Sequence, residues 1–138
     1  MMKTRIEDIA TIIASAIWAD NVYDEAEKIT VEEIAEALEL DEKAFKKTVD
    51  AQVKVLSRMT DNQANAALLD AAESVADDEI GMIYESAMQM LLADGELTSS
   101  EVSNMLVVAN ALGIEEEMAI LLLADMVATE PELKIKFI

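Results

Sequence analysis

The sequence predicts an all-α fold, and its composition, its few turn residues and its hydrophobic spacing all support this prediction. Ala, Leu, Met, Glu and Lys favour helices, and aromatic residues make up only 4% of the chain. Three Gly and one Pro leave few residues for the turns of an all-β fold. Apolar residues recur every three or four positions along most of the chain. With 138 residues, 53% of them hydrophobic, we expect a single domain, 1–138, with its own core.

About seven helices in a compact bundle are expected, and the first three combine an apolar stripe with a capping residue. The first is predicted from near Arg5 to Ala19, where Ile residues recur on one face. The second is predicted at about Glu25–Glu39, and it opens at Asp24 or Thr30. Each of these two residues is followed three positions later by the Glu of a capping box. The third is predicted at Glu42–Arg58, directly after an Asp that can cap it.

Four further helices are predicted between similar signals, with Thr, Asp or Glu near their starts and Gly or Pro after some of their ends. The acidic run Asp77, Asp78 and Glu79 is interpreted as capping helices at a solvated corner. The four predicted helices run from Thr60 or Asp61 to Asp77–Asp78, from Glu79 to Ala93, from Thr98 to Gly113 and from Glu115 to Thr129.

The most apolar stretch of the chain is Met118–Ala124. Even when it is extended to Ala128, this stretch would rise only about 16 Å as a helix, against roughly 30 Å for the hydrocarbon core of a membrane. It is therefore predicted to be a buried core helix, and no direct membrane insertion is expected. Residues 1–10 are charged and carry no secretion signal, so a cytoplasmic location is expected.

An internal repeat appears when the sequence is shifted by about 74 residues without gaps. Acidic, turn and apolar positions then match in the same order through a helix, a loop and the next helix. We therefore expect two pseudo-repeated helical units, approximately 5–58 and 79–129, joined by a helix at 61–77. A chance match between amphipathic helices is the alternative. The shift places Ala19-Asp20-Asn21 on Ala93-Asp94-Gly95, Ile34-Ala35 on Val108-Ala109, and Ala37-Leu38 on Ala111-Leu112.

Each predicted unit carries the pattern Asp-x6-Glu at a helix–loop–helix corner, as Asp20 with Glu27 and as Asp94 with Glu101. The second loop has the spacing of the latter half of an EF-hand, with Glu101 at the closing position. Apolar residues stand where the opening carboxylates of an EF-hand are needed. Neither loop is therefore predicted to be an EF-hand.

Two interpretations of these carboxylates remain open. If the units pack about a pseudo-twofold axis, Asp20, Glu27, Asp94 and Glu101 converge, with Asp24 nearby, and a divalent cation would relieve their repulsion. Because only oxygen ligands are present, the cation would be Ca²⁺, Mg²⁺ or Mn²⁺. Alternatively, each Glu only caps its own helix, since it stands at the third helical position.

The charge of the chain limits its partners. Twenty-nine acidic and ten basic residues give a net charge of −19, which disfavours nucleic acids and anionic membranes. Cations and basic proteins are the expected partners. The sequence contains no His or Cys, so imidazole bases, thiolates and ordinary zinc sites are excluded. No catalytic residues are predicted, and the protein is not expected to be an enzyme.

The second acidic loop resembles a motif of the tellurite-resistance TerB-like family. Its residues read Ala-Asp-Gly-Glu-Leu-Thr-x-x-Glu over 93–101, and the helix that follows ends in Ala-Leu-Gly-Ile at 111–114. The first loop, 18–27, is similar to the family's first acidic motif, with Asn21 in place of the usual Gly. An Asn tolerates the left-handed turn that a Gly would make there. The resemblance covers roughly Ile12 to Val127.

The resemblance implies an all-α domain of duplicated helical units in which acidic residues hold a metal ion. Carried over by position, these residues are Asp20, Glu27, Asp94 and Glu101, with Asp24 as a further member. It also implies a bacterial cytosolic setting linked to tellurite and other stress responses. Tellurite resistance itself is not implied for this chain.

These observations lead to three functional hypotheses. The first is a non-enzymatic TerB-like acidic module, either cation-binding or scaffolding, that acts through protein partners in a bacterial stress response. The second is an acidic inhibitor, or nucleic-acid mimic, that occupies the basic site of another protein. The third is a small metal-dependent hydrolase. The oligomeric state and the identity of the partner do not follow from the sequence.

Overall fold

A computed structural model describes residues 2–18, 24–93, 95–130 and 132–135. This part of the chain is mostly helical, which confirms the predicted all-α class. No helix in these ranges is both long enough and apolar enough to cross a membrane. The elements are α1 (Ile6–Trp18), α2 (Glu25–Ala37), α3 (Glu42–Ser57), α4 (Asp61–Glu73), α5 (Ile80–Leu91), β1 (Glu96–Leu97), α6 (Ser99–Ala111), α7 (Glu116–Ala128) and β2 (Lys134–Ile135).

The core is built around α1 and α5, which pack against each other. α1 also contacts α3, α4 and α6, and α5 also contacts α2 and α6. Nearly all of the described side chains of α1 are at least partly buried, and Ile9, Ile12 and Ile13 are fully buried. A helix that is apolar on most sides needs neighbours on most sides. Helices α2, α3, α4 and α6 therefore pack around this central pair.

Helix starts in the two halves of the chain are separated by 74 residues. α1 and α5 begin at Ile6 and Ile80, α2 and α6 at Glu25 and Ser99, and α3 and α7 at Glu42 and Glu116. The second helix of each half also ends at matching positions, Ala37 and Ala111. The three helices of each half therefore begin at corresponding positions in the sequence.

The turns after α2 and α6 also have the same geometry. Glu39 and Gly113 both have a positive φ, 56° and 78°. The next N–H groups, of Leu40 and Ile114, each donate at 2.8 Å to a carbonyl five residues earlier. Both turns are therefore Schellman motifs, in which one residue must adopt the left-handed conformation.

This geometry leads to a prediction about stability. A side chain in the left-handed region costs about 1 kcal/mol relative to glycine. Glu39→Gly should therefore raise the free energy of unfolding by up to about 1 kcal/mol, and Gly113→Ala should lower it by a similar amount. Urea unfolding followed by circular dichroism measures both changes. Opposite signs are expected, and a loss of stability in Glu39→Gly would contradict the assignment.

The linking helix is shorter than the predicted 61–77, so this predicted boundary was wrong. α4 ends at Glu73, and a short 3₁₀ turn, Asp77–Glu79, precedes α5. Glu79 is not a side-chain helix cap, which corrects the interpretation of the acidic run. Its buried carboxylate accepts hydrogen bonds from the backbone N–H groups of Lys3 (2.6 Å) and Thr4 (2.8 Å) and from the Thr4 hydroxyl. Glu79 therefore turns inward and holds the N-terminal segment.

Burial alone would raise the pKa of Glu79, but the hydrogen bonds from Thr4 and Lys3 outweigh it and lower the pKa below the ordinary value. A lowered pKa means that the charged form stabilises the folded state. This contribution is present above the unfolded-state pKa and is lost as the pH falls through the folded-state pKa.

We therefore predict that Glu79→Gln destabilises the protein by about 1–3 kcal/mol at neutral pH, because charged hydrogen bonds are lost. The difference from the wild type should shrink as the pH falls below about 4.5. Urea unfolding at several pH values measures it. Asp78→Asn is the matched control, since Asp78 forms an exposed ion pair with Lys3 and should contribute little. A pH-independent difference for Glu79→Gln would contradict the prediction.

The prediction that Met118–Ala124 forms a buried core helix was also wrong. Within α7 only Ala119 and Leu123 are buried, whereas Met118, Ile120 and Leu121 are about half exposed or more. α7 packs mainly on α6, so that it buries one side only. High hydrophobicity on every side therefore does not bring this helix into the core.

Candidate metal centre at two helix corners

Glu27 lies at the first corner, at the start of α2. Asp24 is the N-cap, and its carboxylate accepts a hydrogen bond from the Glu27 N–H at 3.0 Å. In return, the Glu27 carboxylate accepts from the Asp24 N–H at 3.3 Å. This capping box identifies Asp24 as the start of α2 and leaves the other sequence candidate, Thr30, inside the helix. Glu27 is only 2% exposed, whereas Asp24 lies on the surface.

Glu101 occupies the equivalent place in α6. The Thr98 hydroxyl accepts from the Glu101 N–H at 3.2 Å, and the Glu101 carboxylate accepts from the Thr98 N–H at 2.9 Å. The Thr98 hydroxyl also lies 3.1 Å from the same carboxylate oxygen. Glu101 is only 1% exposed. The predicted capping box is therefore confirmed at this corner, and it holds a second buried carboxylate.

A third capping box, in α4, shows what the motif needs when it only caps a helix. Thr60 and Gln63 exchange the same two hydrogen bonds, at 3.0 and 3.2 Å. Here the side chain at the third helical position is a neutral amide, and it is exposed. Capping in this chain therefore requires neither a negative charge nor burial, although Glu27 and Glu101 have both.

Helix α2 packs on α5, close to the point where the second corner begins. Thr30, one turn after Glu27, and Ala93, the residue before Asp94, line the same surface depression. Gln89 of α5 donates to Glu33 of α2 at 3.2 Å across this contact. The start of α2 and the end of α5 are therefore neighbours.

The second corner is held by a short parallel pairing that the sequence did not predict. β1 pairs with β2, with Glu96 opposite Lys134 and Leu97 opposite Ile135. The Lys134 N–H also donates to the Gly95 carbonyl at 2.9 Å. The only sequence signal is the apolar Leu97 in the loop, and nothing in the sequence identifies its distant partner. The segment that follows α7 thus fixes the loop that precedes α6.

The structure describes three of the five sequence-predicted ligands, and their burial differs. Glu27 and Glu101 are buried at equivalent corners, and Asp24 is an exposed cap. Asp20 and Asp94 lie outside the described residues. Within the described ranges, no cluster of three or more Asp, Glu, His or Cys side chains is placed to hold a metal ion. The convergence of all four carboxylates therefore stays a prediction.

Comparisons with protein-family models, with curated proteins and with solved structures found no match to this chain.

Proposed function

We propose that the chain is a non-enzymatic TerB-like module of two duplicated helical units that holds a hard divalent cation between its corners and acts through protein partners. The observation that carries this proposal is the burial of two carboxylates, Glu27 and Glu101, at equivalent corners. Removing a carboxylate from water costs several kcal/mol unless the charge is compensated. A cation shared by the corners would contribute to that compensation in a chain of net charge −19.

The duplication is supported by the boundaries of the helices and by the turns between them. Three pairs of helices start 74 residues apart, and both Schellman turns have the same hydrogen bonds. Buried positions follow the same shift, since Val31 and Met105, and Ile34 and Val108, are all fully buried. A duplicated unit gives two copies of each corner residue, and a pseudo-twofold axis would place those copies face to face.

The chemical class of the cation follows from the residues at the corners. Carboxylates and backbone carbonyls are hard oxygen ligands that suit Ca²⁺, Mg²⁺ or Mn²⁺. We propose Glu27 and Glu101 as the buried ligands, with Asp20 and Asp94 completing the set and Asp24 at its edge. The bacterial stress-response setting is proposed from the resemblance of the two acidic loops to the TerB-like family.

The proposal predicts that cations stabilise the protein through Glu27 and Glu101. The experiment is thermal unfolding in EDTA and then with Ca²⁺, Mg²⁺ or Mn²⁺. Saturation at about 100 times Kd should add roughly 2.7 kcal/mol, or about 10 °C in Tm for a chain of this size. The double variant Glu27→Gln/Glu101→Gln should lose this gain, since it removes both buried charges.

The control for this experiment exists within the chain. Gln63 shows that an amide at the third helical position still completes a capping box, so the double variant should remain folded. Gln63→Glu introduces a carboxylate into the exposed box of α4, and it should leave the cation response unchanged. An identical gain in the wild type and in the double variant, or no gain in the wild type with any of the three cations, contradicts the proposal.

A further inference from the structure

The exposed hydrophobic side chains of the described residues are concentrated on α7. Nine large hydrophobic residues are substantially exposed, and six of them occur singly on six different elements. The other three, Met118, Ile120 and Leu121, lie within four residues on α7, with relative exposures of 51%, 48% and 64%. Isolated exposed apolar residues are normal on a protein surface, whereas several on one helix are typical of an interaction site.

α3 shows that the fold does not require this apolar surface. The positions 74 residues before Met118, Ile120 and Leu121 are Ala44, Lys46 and Lys47 on α3. These positions are at least partly exposed as well, and there the chain uses a small residue and two lysines. At the positions that the 74-residue shift relates to the exposed apolar residues of α7, α3 therefore carries a small residue and two charged ones.

The surroundings of this surface are acidic. Residues 59–133 contain sixteen acidic residues and no Lys or Arg. On α7 itself, Glu116, Glu117 and Asp125 are exposed beside the apolar residues. A shallow depression lined by Leu106, Asn110, Ile114 and Glu116 adjoins the start of the helix. The outer side of α7 thus presents apolar and acidic side chains together, with a shallow depression beside its first turn.

We propose that this surface of α7, defined by Met118, Ile120 and Leu121 with Glu117 and Asp125, binds an amphipathic helix of a basic partner protein. Apolar side chains of the partner would cover Met118, Ile120 and Leu121. Its Lys or Arg residues would face the carboxylates of Glu117 and Asp125. This assignment names the type of partner that the proposed function requires. It involves a different surface from the corners and does not depend on a cation.

Charge argues against a second copy of the chain as the occupant. A twofold contact through α7 would bring Glu117 and Asp125 of one copy close to the same residues of the other. Each copy also carries a net charge of −19, so association is opposed over the whole molecule. A basic helix would be attracted both by Glu117 and Asp125 and by the net negative charge of the whole chain.

The probe is a fluorescein-labelled peptide of about five helical turns, built from Leu and Lys with the Leu on one face. A scrambled peptide of the same composition keeps the charge but has no apolar face, so it measures non-specific attraction to an acidic protein. By fluorescence anisotropy, the wild type should bind the amphipathic peptide at least about tenfold more tightly than the scrambled one.

The decisive variant is Ile120→Lys/Leu121→Lys, which installs the residues that α3 carries at the same positions. It should reduce the preference for the amphipathic peptide to about twofold or less. The matched control is Val55→Lys/Leu69→Lys, which changes the charge equally at exposed residues of α3 and α4 and should keep the preference. Thermal unfolding checks that both variants are folded. We expect them to be, because all four positions are exposed.

Three results would overturn the inference. The first is an absent preference in the wild type, and the second is an equal loss in the two double variants. The third is a wild-type dimer in sedimentation velocity that Ile120→Lys/Leu121→Lys dissociates, since a second copy would then occupy the surface. Peptide binding by Glu27→Gln/Glu101→Gln in EDTA separates the two proposals: it should match the wild type even if no cation binds at the corners.

Discussion

The structure depends on the mutual burial of α1 and α5, two helices that are apolar over most of their surfaces. Neither helix has a polar side wide enough to face water, so other helices must cover both of them. α2 contacts α5, and α6 contacts both α5 and α1. The capping box alone does not bury Glu27 and Glu101, since the same motif in α4 leaves Gln63 exposed.

Carboxylates in such positions face two opposing requirements. As capping groups they stabilise the starts of their helices, and a negative charge there is favoured by the helix dipole. As buried anions they lose hydration, which costs free energy unless other groups compensate the charge. The amide of Gln63 caps α4 without that cost. The retention of a charged group at both buried corners is what gives the cation proposal its physical basis.

The two halves of the molecule are alike in where their helices begin but differ in the side chains that they expose. α3 is covered by α1 and α2 and faces outward with lysines, whereas α7 is attached mainly to α6 and faces outward with Ile and Leu. If one unit was duplicated, the corners kept their residues while the outer surfaces of α3 and α7 diverged. Equal corner residues and different outer surfaces are what a shared internal site and a separate external contact would produce.

Features with local causes could be predicted from the sequence. Thr98 and Glu101 have capping-box spacing, Gly113 suits the left-handed turn after α6, and both features are observed. Features that depend on distant residues were missed or predicted wrongly. The inward turn of Glu79 needs the N–H groups of Lys3 and Thr4, and β1 needs a partner strand from the other end of the chain.

The same distinction between local and tertiary causes applies to the candidate site. The positions of Glu27 and Glu101 follow from local spacing, but their burial follows from tertiary packing that no local pattern reports. The exposure of α7 could not be predicted for a related reason. Hydrophobicity shows that a helix can be buried, whereas the number of its neighbours decides whether it is.

Anomalous diffraction from crystals soaked in Mn²⁺ tests the central claim most directly, because it locates the ion itself. We expect one strong peak within coordination distance of the carboxylates of both Glu27 and Glu101. Peaks confined to the outer surface, with the two carboxylates bonded only to their own helix starts, would contradict the claim and leave the helical fold unaffected.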